Sequence, residues 1–395
     1  MSRIVVLGSG AWGTAIALSL YRRGGHHVTL WSHSVDEARQ IIAAEENILF
    51  LPGFPIPSQI AVTADTTAVA NAEIVVSVIP SEFLRPTIAR IRPYLHDGQI
   101  IVSATKGVEN NTFLRMTQVI AACLAQTAPQ DEESATARPA SANLADASNP
   151  AVPTPVAPNH DTNLEVFTED DAPQVSSSGI APAPDSLDDL FLPIGAFSGP
   201  SFALEVAQGQ PTAVTVAFED PDIAARIQQD FSSQTLRLYT STDIIGVELG
   251  GALKNVIAIA AGVAVGVGLG HNSSAALITR GIAEITRLAV ACGGRRETLA
   301  GLSGVGDLVL TCTGSLSRNR TVGQALGQGR GLPEVLESLG GKVAEGVFTT
   351  RAALGLARRH NIEMPITEQM QLILNQGKDP REAIRDLMLR PGKDE

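Results

Sequence analysis

The sequence predicts an α/β domain built on an open, mostly parallel sheet, followed by an all-helical domain. Three observations carry this. Strand-length runs of β-branched residues alternate with helical patterns up to about residue 126; strand-like runs resume at 192–198 and 212–217; and beyond about residue 240 only helical periodicity remains. The expected organisation is therefore residues 1–240 as the α/β domain and 241–395 as the helical domain.

Residues 3–8 (RIVVLG) are apolar throughout, as in a strand covered on both faces. A glycine-rich turn follows, then a helix through Ala15, Ala17, Leu18 and Leu20. Residues 28–31 (VTLW), 74–79 (IVVSVI) and 100–103 are further strands, with helical patterns around 34–46, 82–92 and 112–126. The stretch 127–190 differs in kind: it holds nine prolines, twelve acids, one base (Arg138) and one aromatic (Phe167). Such a composition cannot bury enough apolar surface to offset its ordering entropy, so we read it as a disordered insertion within the first domain. In the C-terminal part Asp243 is placed to cap a long helix reaching about Val267. Further helices are expected at 272–292, 296–302, 318–327, 333–339, 345–360, 366–375 and 380–389.

Composition narrows the classes. A chain of 395 residues with 44% hydrophobic and 18% charged residues is globular. The net charge is −12, but −11 of it lies in 127–190, and neither that nor the nearly neutral remainder suits a general nucleic-acid binder. Three cysteines (Cys123, Cys292, Cys312) without a CxxC pair argue against a disulfide framework or structural zinc site and for a reducing compartment. No His/Cys/carboxylate cluster suggests a metal. The apolar run 4–7 is too short for a signal peptide, so no targeting segment is expected. The longest charge-free apolar stretch, 255–270, spans 16 residues and reads as a buried helix and not as a membrane span.

Gly8-Ser9-Gly10-Ala11-Trp12-Gly13 matches G-x-G-x-x-G between a strand and a helix. Gly8 permits the tight turn, Gly10 lets the backbone approach a pyrophosphate, and Gly13 allows close helix packing. The helix N-terminus offers free N–H groups to the anion. This is the fingerprint of a Rossmann-type dinucleotide site. The acid that such sites carry about 20 residues further on is missing: the second strand ends Trp31-Ser32-His33, and the nearest acid is Asp36. On that ground NADPH is favoured moderately over NADH.

Lys106 stands just past the carboxyl end of a strand, where open α/β sheets bind ligands, although a solvated loop lysine fits the position too. Lys254 is more telling. Between Leu249 and Val267 only Lys254 and Asn255 are polar. A lysine so placed either snorkels at a domain edge or is buried against a partner, with its pKa lowered toward acid–base use. Asp307, among glycines, is placed to neutralise Lys254 or to cap a helix. Ser317-Arg318-Asn319-Arg320 offers guanidinium groups suited to phosphate, or a solvated basic turn.

Taken together, Gly8 to Thr14 (GSGAWGT), 104–107 (ATKG), 198–203 (SGPSFA), 250–256 (GGALKNV), 304–312 (GVGDLVLTC), 317–320 (SRNR) and 364–368 (MPITE) resemble the NAD(P)-dependent glycerol-3-phosphate dehydrogenases of the bacterial type, in the family's order and over essentially the whole chain outside 127–190. The resemblance implies reversible reduction of dihydroxyacetone phosphate to sn-glycerol 3-phosphate, for phospholipid synthesis in the cytoplasm, by an enzyme that is a homodimer in the family. It implies Lys254 as the catalytic lysine. Substrate contacts are implied for Lys106, Gly199, Ser201, Lys254, Asn255, Asp307, Ser317, Arg318 and Asn319. Cofactor contacts are implied for Ala11, Trp12, His33, Lys106, Ala203, Arg318, Val343 and Glu345, beside Gly8, Gly10 and Gly13. The 127–190 segment is the one large departure, and it interrupts none of these motifs. Two other readings stay open: a related two-domain dehydrogenase of a hydroxy acid or a ketopantoate-like ketone, and a non-catalytic nucleotide sensor.

Overall fold

A computed structural model describes residues 1–125, 192–339 and 343–392; the insertion expected at 127–190 lies outside the described residues. The strands are β1 (Ser2–Leu7), β2 (His26–Trp31), β3 (Ala61–Thr63), β4 (Ile74–Ser77), β5 (Ile100–Ser103), β6 (Ile194–Ser198), β7 (Thr212–Ala217) and β8 (Leu236–Ser241). They form one sheet in the order β3-β2-β1-β4-β5-β6-β7-β8. All pairings are parallel except β6 with β7, where Phe197 faces Val216. The strand order reverses between β1 and β4, and that crevice is where a sheet of this kind takes its ligand.

The helices connecting these strands are α1 (Ala11–Arg23), α2 (Val35–Ala44), α3 (Ser81–Ile91), α4 (Met116–Ala125), α5 (Ala203–Ala207) and α6 (Pro221–Phe231). Two apolar layers cover the sheet. One includes Ile4, Val6, Leu30, Ile74 and Val102, and the other Val5, Leu7, Val75 and Ile101, so alternate residues of each strand serve opposite faces.

The C-terminal part comprises α7 (Ile244–Val267), α8 (His271–Ala291), α9 (Arg296–Leu299), α10 (Asp307–Thr313), α11 (Arg318–Gly327), α12 (Leu332–Glu337), α13 (Glu345–Arg359), α14 (Pro365–Gln376) and α15 (Pro380–Met388). Asp243 caps α7 as the sequence suggests, accepting from the Gly246 N–H at 2.8 Å. Helix α7 is the axis of this part, and α8, α10, α11, α13 and α14 pack around it. By length and composition it is long and apolar enough to cross a membrane, yet it is mostly buried in the core, as its apolar stretch predicts. The Glu248 carboxylate fastens α7 to α4, accepting from Thr117 N at 2.7 Å and Thr117 Oγ1 at 2.8 Å and pairing with Arg115.

Three local differences from the sequence reading have physical causes. Strands β3 and β8 were not expected. In β8, Leu236 and Leu238 are buried while Arg237 and Tyr239 point out, so it is a half-exposed strand without an apolar run. Helix α4 begins only at Met116, because residues 108–115 double back through Phe113 in the left-handed region at φ 59°. The helix expected at 296–302 stops at Leu299, gives way to a π-helical turn at Leu302–Gly306 and resumes as α10.

Candidate active site

The glycine-rich turn lies at the reversal point of the sheet. Gly8 adopts φ 114°, and a Cβ there would come within 2.9 Å of the Val78 carbonyl oxygen beyond β4. At Gly13 a Cβ would fall 1.8 Å from the Gly8 carbonyl oxygen, so α1 can close on the turn only with no side chain there. At Gly10 the equivalent position meets no atom within 4 Å. No side chain caps the N-terminus of α1. Open space in front of uncapped helical N–H groups fits a pyrophosphate.

Of the residues implied as cofactor contacts, Ala11, Trp12 and Ala203 share one apolar layer beside this turn, while Glu345, Arg318 and Val343 come from the helical part. Trp12 stacks on Phe197 with ring centroids 6.4 Å apart, and Ala11 and Ala203 pack on the same apolar layer. Glu345 opens α13 and accepts from Ser81 Oγ at 2.8 Å. Burial pushes its carboxyl up to about 7, against the Ser81 hydrogen bond. Arg318, the first residue of α11, is exposed and lies close enough to stabilise the Glu345 carboxylate. Val343 is half-buried, two residues before Glu345. His33 is largely exposed, with the Glu37 carboxylate 3.6 Å from its Nδ1.

The second group centres on Asp307, which has no exposed surface. Lys254 Nζ donates to Asp307 Oδ1 at 2.5 Å and to Thr311 Oγ1 at 2.7 Å. Lys106, beyond the end of β5, donates to Asp307 Oδ2 at 2.7 Å and to the Gly199 carbonyl at 3.4 Å. Ser201 Oγ donates to that same carbonyl at 2.9 Å. The approach of α7 to the sheet makes this convergence possible: a Cβ on Gly251 would lie 2.3 Å from Ser198 Oγ. Ser198 Oγ is itself buried without a hydrogen-bond partner.

Lys254 is only 7% exposed, so it is buried and does not snorkel. Loss of hydration disfavours its ammonium form and lowers its pKa to about 8, with Asp307 opposing the shift and Lys106 reinforcing it. Near neutral pH such an amine can both give and accept a proton. Two ammonium groups against one carboxylate leave one positive charge, which suits an anionic oxygen developing nearby.

The third group holds the helices together beside Lys254. Asn319 Nδ2 donates to Asn255 Oδ1 at 3.0 Å, while Asn319 Oδ1 accepts from Gly346 N at 3.0 Å, so α7, α11 and α13 share one amide. Ser317 caps α11 by accepting from Arg320 N at 3.2 Å. Sequence reasoning missed Thr311, Ser81 and Glu37. Thr311 donates to the Asp307 carbonyl at 2.6 Å, which aims its lone pairs at Lys254. The spacing of four from Asp307 was a usable signal, hidden by the glycines before it.

Two family models match the chain. The model of the NAD-dependent glycerol-3-phosphate dehydrogenase N-terminus matches residues 3–131 and 184–224, and that of its C-terminus matches 243–385. A glycerol-3-phosphate dehydrogenase [NAD(P)+] of Acidobacterium capsulatum is 51% identical over 399 residues, covering 100% of both chains. One from Koribacter versatilis is 49% identical over 396 residues, covering 100% of this chain and 99% of its own. The crystal structure of glycerol-3-phosphate dehydrogenase from Coxiella burnetii superposes with a TM-score of 0.79 at 33% identity, covering 98% of this chain and 99% of that one.

Proposed function

The chain belongs to the NAD(P)-dependent glycerol-3-phosphate dehydrogenases, and from that premise we propose that it interconverts dihydroxyacetone phosphate and sn-glycerol 3-phosphate with Lys254 as its general acid–base group. It is an oxidoreductase that uses NAD or NADP. The observation that carries the catalytic assignment is the buried Lys254–Asp307 pair with half-buried Lys106 on the same carboxylate, at the carboxyl end of β5.

NAD(P)H, when bound, supplies the hydride. Gly8, Gly10 and Gly13 shape the turn for its pyrophosphate, with Trp12 and Ala203 beside it. Lys254 donates its proton to the ketone oxygen in the reducing direction and accepts it from the alcohol in the other. Asp307 and Thr311 fix the direction of the Lys254 amine. Lys106 adds a second positive charge toward the substrate. Arg318 holds the substrate phosphate, with Ser317, Asn255 and Asn319 placing it, so that remote binding aligns the carbonyl. Gly199 and Ser201 stand beside Lys106, both Lys106 and Ser201 donating to the Gly199 carbonyl.

The product is a building block for phospholipid synthesis, and we place the enzyme in the cytoplasm; its three cysteines, all free, support a reducing compartment. The test is the fall of NADH or NADPH absorbance on adding dihydroxyacetone phosphate to the purified chain. Turnover of that ketone, and none of keto acids lacking a phosphate, is expected. The reverse preference overturns the assignment.

A further inference from the structure

A carboxylate stands beside the glycine-rich turn in the structure, at a place that spacing did not indicate. Helix α2 opens with Ser34 as its cap, accepting from Glu37 N at 3.3 Å. Two acids follow in its first turn, and they diverge. The Asp36 side chain is 83% exposed and pairs with Arg39 at 3.2 Å. The Glu37 side chain is 14% exposed and turns back toward the glycine-rich turn. There Ser9 Oγ donates to Glu37 Oε1 at 2.6 Å. Ser9 is the residue between Gly8 and Gly10, 3% exposed, and its carbonyl is held by Asn47 Nδ2 at 2.6 Å. The carboxylate is therefore fixed against the middle of the turn.

In sites of this class a carboxylate beside the glycine-rich turn accepts from the adenosine ribose hydroxyls and excludes a 2′-phosphate. Glu37 meets the geometric condition from the next helix instead of from the end of β2. A carboxylate has about four lone-pair positions, so the Ser9 hydrogen bond leaves acceptor capacity on Glu37. The ring beside it is that of His33, whose side chain is 78% exposed. Among the described residues no lysine or arginine pairs with Glu37, and Arg39 is engaged by Asp36.

We infer that Glu37 determines cofactor specificity, holding the adenosine ribose hydroxyls of NAD(H) and disfavouring the 2′-phosphate of NADP(H). The inference rests on the dinucleotide site proposed above, and it reverses the moderate preference for NADPH expected from the sequence.

The experiment compares the full chain with Glu37→Gln, which keeps the acceptor for Ser9 and removes the charge. Affinities for NADH and NADPH are measured by fluorescence titration, and kcat/KM for each with dihydroxyacetone phosphate. The unmodified chain should favour NADH, and the variant should shift the NADPH-to-NADH ratio upward by roughly tenfold or more, the size expected for relief of like-charge contact. General damage to the turn would weaken both cofactors alike and leave the ratio unmoved, which overturns the inference. A Glu37→Ser variant, which also removes bulk, should move the ratio in the same direction; no movement in either variant has the same adverse meaning. Should the ketone not turn over at all, the reaction assignment fails, while the two titrations still decide the role of Glu37.

Discussion

Asp307→Asn is a sharp perturbation because one buried carboxylate serves two lysines. Its oxygens lie 2.5 Å from Lys254 Nζ and 2.7 Å from Lys106 Nζ. Asparagine keeps the shape but removes the charge that opposes the desolvation of Lys254. Loss of a close opposite charge is worth roughly one to two pKa units. From a starting value of about 8, Lys254 would then titrate at about 6–7. At pH 7.5 its protonated fraction would fall from about three-quarters to between a quarter and a few per cent. Ketone reduction, which needs the ammonium, should slow by the same proportion at that pH and recover on acidification. The alkaline limb of the kcat–pH profile should move down by the same one to two units. Breaking a buried ion pair also costs about 3–5 kcal/mol of folding stability, so urea unfolding is followed in parallel. A variant with the unmodified alkaline limb would refute the electrostatic coupling, whatever its stability.

Arg318→Ala should raise KM for dihydroxyacetone phosphate by roughly ten- to a hundredfold, the worth of a charge-assisted contact, with a smaller fall in kcat; an unchanged KM removes Arg318 from phosphate binding. Glu284, which accepts from Ile366 N at 2.6 Å and from Thr367, has its carboxyl pushed up to about 7 by burial. The native state therefore holds a proton that the unfolded state has lost between its ordinary value near 4.5 and about 7, so this group's contribution to stability falls as pH rises across that window. Glu284→Gln should flatten that slope, worth roughly 3 kcal/mol, and urea midpoints at the two ends of the window read it directly; an undiminished slope places its origin elsewhere. Deleting residues 132–183, which the N-terminal family match skips, should leave turnover within about threefold if the segment is a passive insertion.

Much of this was legible in the sequence, for identifiable reasons. The glycine-rich turn declares itself because each glycine answers a local steric demand immediately beside a strand. Lys254 declares itself because one ammonium interrupts a long apolar helix, and such a contrast needs no knowledge of the partner. The partners were harder. Thr311 sits one helical turn after Asp307, but Gly304 and Gly306 made that region read as a turn. In the structure Gly304 lets a π turn fold back on the end of α9: a Cβ there would fall 2.0 Å from the Leu299 carbonyl oxygen. The Ser81–Glu345 contact joins residues 264 apart, a distance over which no pattern of periodicity speaks. Glu37 was passed over because spacing places a backbone but does not say which of two adjacent acids turns inward.

The central claim is that the buried Lys254 amine transfers the substrate proton, and Lys254→Met tests it most directly. Methionine fills most of the same volume and cannot ionise. With folding verified and cofactor affinity measured alongside, steady-state reduction of dihydroxyacetone phosphate should fall by about a hundredfold or more, since one proton-transfer group contributes about 10²–10⁴. Turnover close to that of the unmodified enzyme, with the same dependence on pH, would contradict the account.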